Sequence, residues 1–130
     1  MEIEKFLKQT IMQAGKLSLD YRARLAELKV TRKTRKDVVT EADYAVEDLI
    51  VNNIKRTFPE HSILGEESGE TKGNNYRWII DPIDGTDSFV HGMGTYSVSI
   101  GLEKDSHLIA GAVNVPAFDE LFFAEIGRGA

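Results

Sequence analysis

Cysteine is absent from this chain of 130 residues. Its absence excludes disulfides, thiolate zinc sites and a cysteine nucleophile, and it accords with a reducing cytoplasm. Positive charge is in short supply as well: a formal net charge of −5 argues against nucleic acid as a partner. No apolar run reaches the length of a membrane span, and the opening MEIEKFLKQT is acidic and amphipathic, without the basic start and apolar block of a signal peptide. A soluble, cytoplasmic protein with no membrane partner is the expectation. Repeats and low-complexity tracts are also missing. His61, His91 and His107 show no HExxH spacing and read as surface or packing residues. The length suits one domain or a fragment, and it is small for an enzyme whose site lies between two domains.

What is present is periodic. Ile3, Phe6, Leu7, Ile11, Ala14, Leu17 and Tyr21 recur at helical steps, which predicts an amphipathic helix from about Glu2 to about Leu28 whose apolar face is core. The run KVTRKTRK, Lys29 to Lys36, holds five basic residues and no acid, and reads as an exposed loop that could attract an anionic substrate. Ala42, Val46, Leu49, Ile50, Ile54 and Phe58 predict a second helix ending before Pro59. Thr40 and Asp43 stand in a capping-box-like relation at its start. From Ser62 onward the segments are short and strand-like: Ser62 to Leu64, Arg77 to Ile80, Tyr96 to Leu102, Leu108 to Val115 and Leu121 to Ile126. GETKGNN reads as a polar loop and Lys104 to Ser106 as a hairpin turn. The order predicts a layered α+β fold: two helices, then a largely antiparallel sheet with one short helix near residues 86 to 92. Trp78, Phe89 and Tyr96 fall on strand or helix faces and are expected in the core.

The chemistry concentrates in WIIDPIDGTDSF, Trp78 to Phe89. Pro82 biases Asp81 toward extended backbone and ends the strand there, while Gly85 lets the chain turn into a short helix near Thr86. Asp81 and Asp84 can thereby converge. Glu66 and Glu67 repeat the pattern, with Ile63-Leu64 running through Gly65 into paired acids. Acids before glycine also serve simply as turn formers. Two neighbouring strands ending in paired acids, however, concentrate negative charge that a hard cation relieves. Oxygen donors without cysteine favour magnesium, manganese or calcium over zinc, and DPIDGTDSFVHG lacks the twelfth-position glutamate of an EF-hand. The amides of Gly85 and Thr86 would then sit at a helix start where a phosphate fits, and metal with such a cradle suggests phosphoryl chemistry.

GEES at Gly65 to Ser68 and WIIDPIDGTDSFVHG at Trp78 to Gly92 together resemble the inositol monophosphatase family of magnesium-dependent, lithium-sensitive phosphomonoesterases. DVVTEAD at Asp37 to Asp43, FPEHSILGEES at Phe58 to Ser68 and YSVSIGLE at Tyr96 to Glu103 extend the likeness across the chain from the first helix onward. The resemblance implies that Glu66, Asp81 and the carbonyl of Ile83 hold a first metal, and that Asp81 and Asp84 hold a second. It implies two or three magnesium ions per site, with manganese or calcium able to take their place. Thr86 would orient and help deprotonate the attacking water, supported by Asp43, with Glu67 behind the ligands. Ile83, Asp84, Gly85 and Thr86 would line the bound phosphate. A small phosphorylated substrate, a layered αβαβα sandwich and a homodimer are expected in the same way, inositol 1-phosphate being the leading substrate. Fructose-1,6-bisphosphate, histidinol phosphate and 3′-phosphoadenosine 5′-phosphate are rivals.

One part of the family pattern is missing. Its WDxAAG-like motif, whose aspartate completes the second metal site, has no counterpart among these residues. The expectation is therefore an N-terminal metal-binding half, spanning residues 1–130, of a truncated or divided polypeptide, weak or inactive by itself. A non-catalytic regulatory or RNA-associated module that keeps the fold is the rival from another class.

Overall fold

The computed structural model describes residues 2–27 and 32–129, and within these the side chains at 26–27 and 32–37 lie outside the description. Two helices come first, α1 (Glu2–Glu27) and α2 (Arg32–Thr57). Six strands follow: β1 (Ser62–Gly65), β2 (Gly69–Thr71), β3 (Tyr76–Asp84), β4 (Ser97–Lys104), β5 (His107–Val115) and β6 (Glu120–Glu125). A short helix α3 (Thr86–Val90) lies between β3 and β4, and a 3-10 turn (Pro116–Phe118) between β5 and β6. The strands form one sheet in the order β2-β1-β3-β4-β5-β6.

All neighbours in that sheet are antiparallel except β1 and β3, which run parallel with Gly65 opposite Ile80. Parallel strands deliver their C-terminal ends to the same edge of a sheet. The acids that follow Gly65 and Ile80 are thereby neighbours, as the sequence pattern requires.

The core lies between the helices and one face of the sheet. Phe6, Leu7, Ile11 and Ala14 of α1 and Val46, Ile50 and Ile54 of α2 pack onto Ile63, Trp78, Ile80, Val98, Ile100 and Leu102. Alternation along the strands sets which side chains enter, and each large aliphatic buried there contributes about 1.5–3 kcal/mol. A second cluster, Tyr21, Leu25, Val39, Ala42, Ile83, Phe89 and Tyr96, fastens α3 and the end of β3 to the helices. Trp78, Phe89 and Tyr96 are core residues, as expected from the sequence. The other face of the sheet is an open apolar trough of about 600 Å³ lined by Ile79, Ile109, Val113 and Phe122, with Asp81 at its edge.

Four details depart from the sequence reading. The basic run is not a loop throughout, because α2 already begins at Arg32; residues 29–31 lie outside the described residues. Lysine and arginine are good helix formers, and buried Val39 anchors the added turns against Tyr21 and Leu25. Thr40 and Asp43 consequently sit inside the helix and are not its cap. Gly69–Thr71 of the expected loop forms an edge strand on β1. Finally, β3 does not stop at Asp81 but continues to Asp84 through a bulge: Asp81 pairs with Ser99 and Asp84 with Ser97, so two intervening residues face one. Pro82, which lacks a ladder donor, occupies that irregularity. The expected hairpin turn is present, with Asp105 and Ser106 at φ 51° and 66° in the paired left-handed conformation that two-residue hairpins favour.

His61 stands at the entry to β1, stacked between Phe58 (centroids 4.8 Å apart) and Tyr76 (4.7 Å). The indole N–H of Trp78 donates to its Nδ1 at 2.9 Å. Burial holds its pKa below the usual value of 6.5, against the opposing charge of Glu60. Because the native pKa is lowered, the contribution of neutral His61 is present above pH 6.5 and lost as pH falls below it. The urea midpoint of the chain should therefore exceed that of His61→Phe by more at pH 8 than at pH 5. An equal difference at both pH values would contradict the assignment.

Candidate metal centre

Five carboxylates come to the C-terminal edge shared by β1 and β3. Glu66 and Glu67 follow β1 directly, Asp81 and Asp84 lie on either side of the β3 bulge, and Asp43 of α2 is near enough to feel the charges of Glu67 and Asp81. The carboxyl groups of Glu66 and Asp81 lie side by side, close enough to share a proton. That contact, with burial and the charges of Asp81, Asp43 and Glu67, raises the pKa of Glu66 to about 7. Asp43 is raised to about 6, first by burial and then by the charges of Glu67, Asp81 and Glu47. Burial raises Asp81 as well, with the proton-sharing proximity of Glu66 opposing it and the charge of Asp84 adding to it. No lysine or arginine among the described residues offsets these shifts.

One oxygen of Asp81, Oδ1, is buried without a hydrogen-bond partner among the described residues. An orphaned buried carboxylate oxygen is costly, and a cation is the partner that resolves both the orphan and the repulsion. The donor set, carboxylates and carbonyls without thiol or imidazole, suits a hard cation. The residues therefore fit magnesium in chemistry. They do not form a finished cage: no cluster of three or more histidine, aspartate or glutamate side chains among the described residues is gathered as a ready metal site. Glu66 and Asp81 meet, whereas Asp84 is exposed at the far end of the bulge.

The backbone around Asp84 is shaped for close approach. Gly85 takes φ 90°, and a Cβ there would lie 3.1 Å from the carbonyl oxygen of Thr95. Glycine alone meets both conditions without strain. The Thr86 hydroxyl donates to the carbonyl of Ile83 at 3.4 Å, so the expected carbonyl ligand and the expected water-orienting hydroxyl face each other across the turn. Phe89, fully buried, and Ile83, 3% exposed, hold this turn from below.

Glu47 was not singled out in the sequence. It is 1% exposed and accepts from the backbone N–H groups of Glu67 (2.9 Å) and Ser68 (2.8 Å). A glutamate four residues after Asp43 within an otherwise apolar stripe was the available signal. His91 and His107 are exposed, as expected of surface histidines.

Comparison with known proteins gives a match to the Inositol monophosphatase family over residues 1–130. The chain is 49% identical over 119 residues to the histidinol-phosphatase of Chlorobaculum parvum, which covers 91% of this chain and 46% of that protein. It is 40% identical over 125 residues to the inositol-1-monophosphatase of Mesorhizobium japonicum, covering 94% and 47% respectively. The crystal structure of extragenic suppressor protein suhB from Bartonella henselae superposes with a TM-score of 0.87 at 34% identity, over 99% of this chain and 50% of that one. The chain thus spans about half the length of the relatives it matches.

Proposed function

The chain belongs to the inositol monophosphatase family, and we propose that it supplies the metal-ligand half of a magnesium-dependent phosphomonoesterase, with inositol 1-phosphate as the leading substrate. The observation that carries this reading is the buried, unpartnered oxygen of Asp81 beside a Glu66 carboxyl that holds its proton to about pH 7. In this reading Glu66, Asp81 and the Ile83 carbonyl hold one ion, and Asp81 with Asp84 a second. Bound there, magnesium would act as a Lewis acid that makes water a nucleophile near neutral pH and neutralises the leaving oxygen.

The chain's own groups do the rest. Thr86, at the start of α3 with its hydroxyl held by the Ile83 carbonyl, would orient the attacking water, and Asp43, with a pKa of about 6, is able to hold or release a proton near neutrality. Gly85 and Thr86 offer backbone N–H groups to the phosphate at the turn after β3, with Asp84 beside them. Glu67 adds negative charge behind the ligands. The open trough with Asp81 at its edge is where we place the substrate-facing boundary toward the rest of a longer polypeptide. A cytoplasmic homodimer belongs to the same proposal.

The 49% identity to a histidinol-phosphatase supports histidinol phosphate as a second substrate reading. A non-catalytic RNA-associated role is disfavoured by the retention of Glu66, Asp81, Asp84 and Thr86 together. The test is phosphate release by the full gene product from inositol 1-phosphate, histidinol phosphate, fructose-1,6-bisphosphate and 3′-phosphoadenosine 5′-phosphate. Release that requires magnesium and stops with chelator is expected, with inositol 1-phosphate preferred. A preference for histidinol phosphate would change the substrate alone, and no magnesium-dependent release from any of the four would contradict the function.

A further inference from the structure

The loop that carries Glu66 is gripped from α2. Both carboxylate oxygens of Glu47 are engaged, Oε1 by the Glu67 N–H and Oε2 by the Ser68 N–H, in a site 1% exposed. Burying a glutamate is unfavourable unless its lone pairs are satisfied, and bonds from two successive amides satisfy it while fixing the backbone they belong to. Gly65 completes the fit: a Cβ at that position would lie 2.8 Å from Cδ and Oε1 of Glu47 and 2.7 Å from the Ser68 hydroxyl. The glycine that ends β1 thus makes room for the carboxylate. Asp43 stands one helical turn earlier, and Glu47 is among the charges that raise its pKa.

From this geometry we propose that Glu47 is the positioning residue of the metal centre. By fixing the amides of Glu67 and Ser68 it sets the direction in which Glu66 leaves β1, and it ties that direction to the helix that presents Asp43. The inference rests on the metal-site reading given above. Residues that orient a ligand without touching the ion commonly change metal affinity by about 10–100-fold.

The experiment compares the chain with Glu47→Gln, Gly65→Ala and Asp84→Asn, using backbone amide exchange and calorimetric titration with Mn2+. Glutamine keeps the shape but turns an N–H toward an N–H, and Gly65→Ala displaces the carboxylate without altering it. Both are expected to speed exchange at Glu67 and Ser68, to leave exchange at Ile50 and Ile54 unchanged, and to weaken Mn2+ binding about 10–100-fold. Asp84→Asn is expected to weaken Mn2+ binding with the Glu67 and Ser68 amides still protected, which separates loss of a ligand from loss of its support. Unchanged exchange and unchanged Mn2+ affinity in a folded Glu47→Gln or Gly65→Ala chain would overturn the proposal and leave the metal reading intact. Absence of Mn2+ binding by the unaltered chain would overturn both, and the amide exchange would then report a clamp without a metal to serve.

Discussion

Asp81→Asn is expected to abolish divalent-metal binding and, in the absence of metal, to stabilise the chain. The two effects share one cause. Asp81 contacts Glu66, feels Asp84 and leaves Oδ1 buried without a partner, so its ionised form is disfavoured in the fold. For carboxyl groups with raised native pKa, the folded state prefers the proton. Stability is then lost as pH rises from the unfolded value near 4 through the native values of about 6 for Asp43 and about 7 for Glu66. An asparagine is neutral throughout this window. Since these groups keep partial contact with water, solvent screening reduces the gain at pH 7.5 without changing its sign. Urea midpoints in chelator should show Asp81→Asn above the unaltered chain at pH 7.5 and close to it at pH 4. Added magnesium should stabilise only the unaltered chain, because ligands that bind the native state shift unfolding by mass action. A loss of stability at pH 7.5 in chelator would mean that Asp81 serves the fold and not a cation.

Thr86→Ala should lower the turnover of the full gene product by about 10²–10⁴-fold, the range for removal of a group that assists proton transfer. The fold should survive the change. Phe89 and Ile83 bury the turn from beneath, and the hydroxyl contributes one long bond to the Ile83 carbonyl. Metal affinity should therefore change little, so that the loss appears in kcat. Thr86→Ser, which keeps the hydroxyl, should restore most of the rate. Equal losses in the serine and alanine variants would show that the methyl group or the turn matters, and not the hydroxyl.

Much of this was legible in the residues. The helical period of α1 marks a helix observed at Glu2–Glu27, and the alternation from Ser97 onward marks the antiparallel strands. Strands β1 and β3 announce themselves by acids after apolar runs, although only three-dimensional pairing shows that they lie parallel and side by side. The early start of α2 was hidden because basic residues without an apolar partner look alike in a loop and on a solvated helix face; Val39 decides it through contacts with α1. The continuation of β3 past Pro82 was hidden for a related reason. A proline ordinarily ends ladder pairing, but a bulge tolerates one, and buried Ile83 makes the continuation favourable. Glu47 escaped notice because a glutamate within a helix is read as solvent-facing, and only the amides of the Glu67 loop reveal why it is buried.

The most direct test of the central claim is a calorimetric titration of the 130-residue chain with magnesium at pH 7.5, beside Asp81→Asn. The predicted result is saturable binding by the unaltered chain and none by the variant. The contradictory result is no binding by either, or the same binding by both, which would leave the carboxylates of β1 and β3 as turn formers and remove the basis for phosphomonoester hydrolysis here.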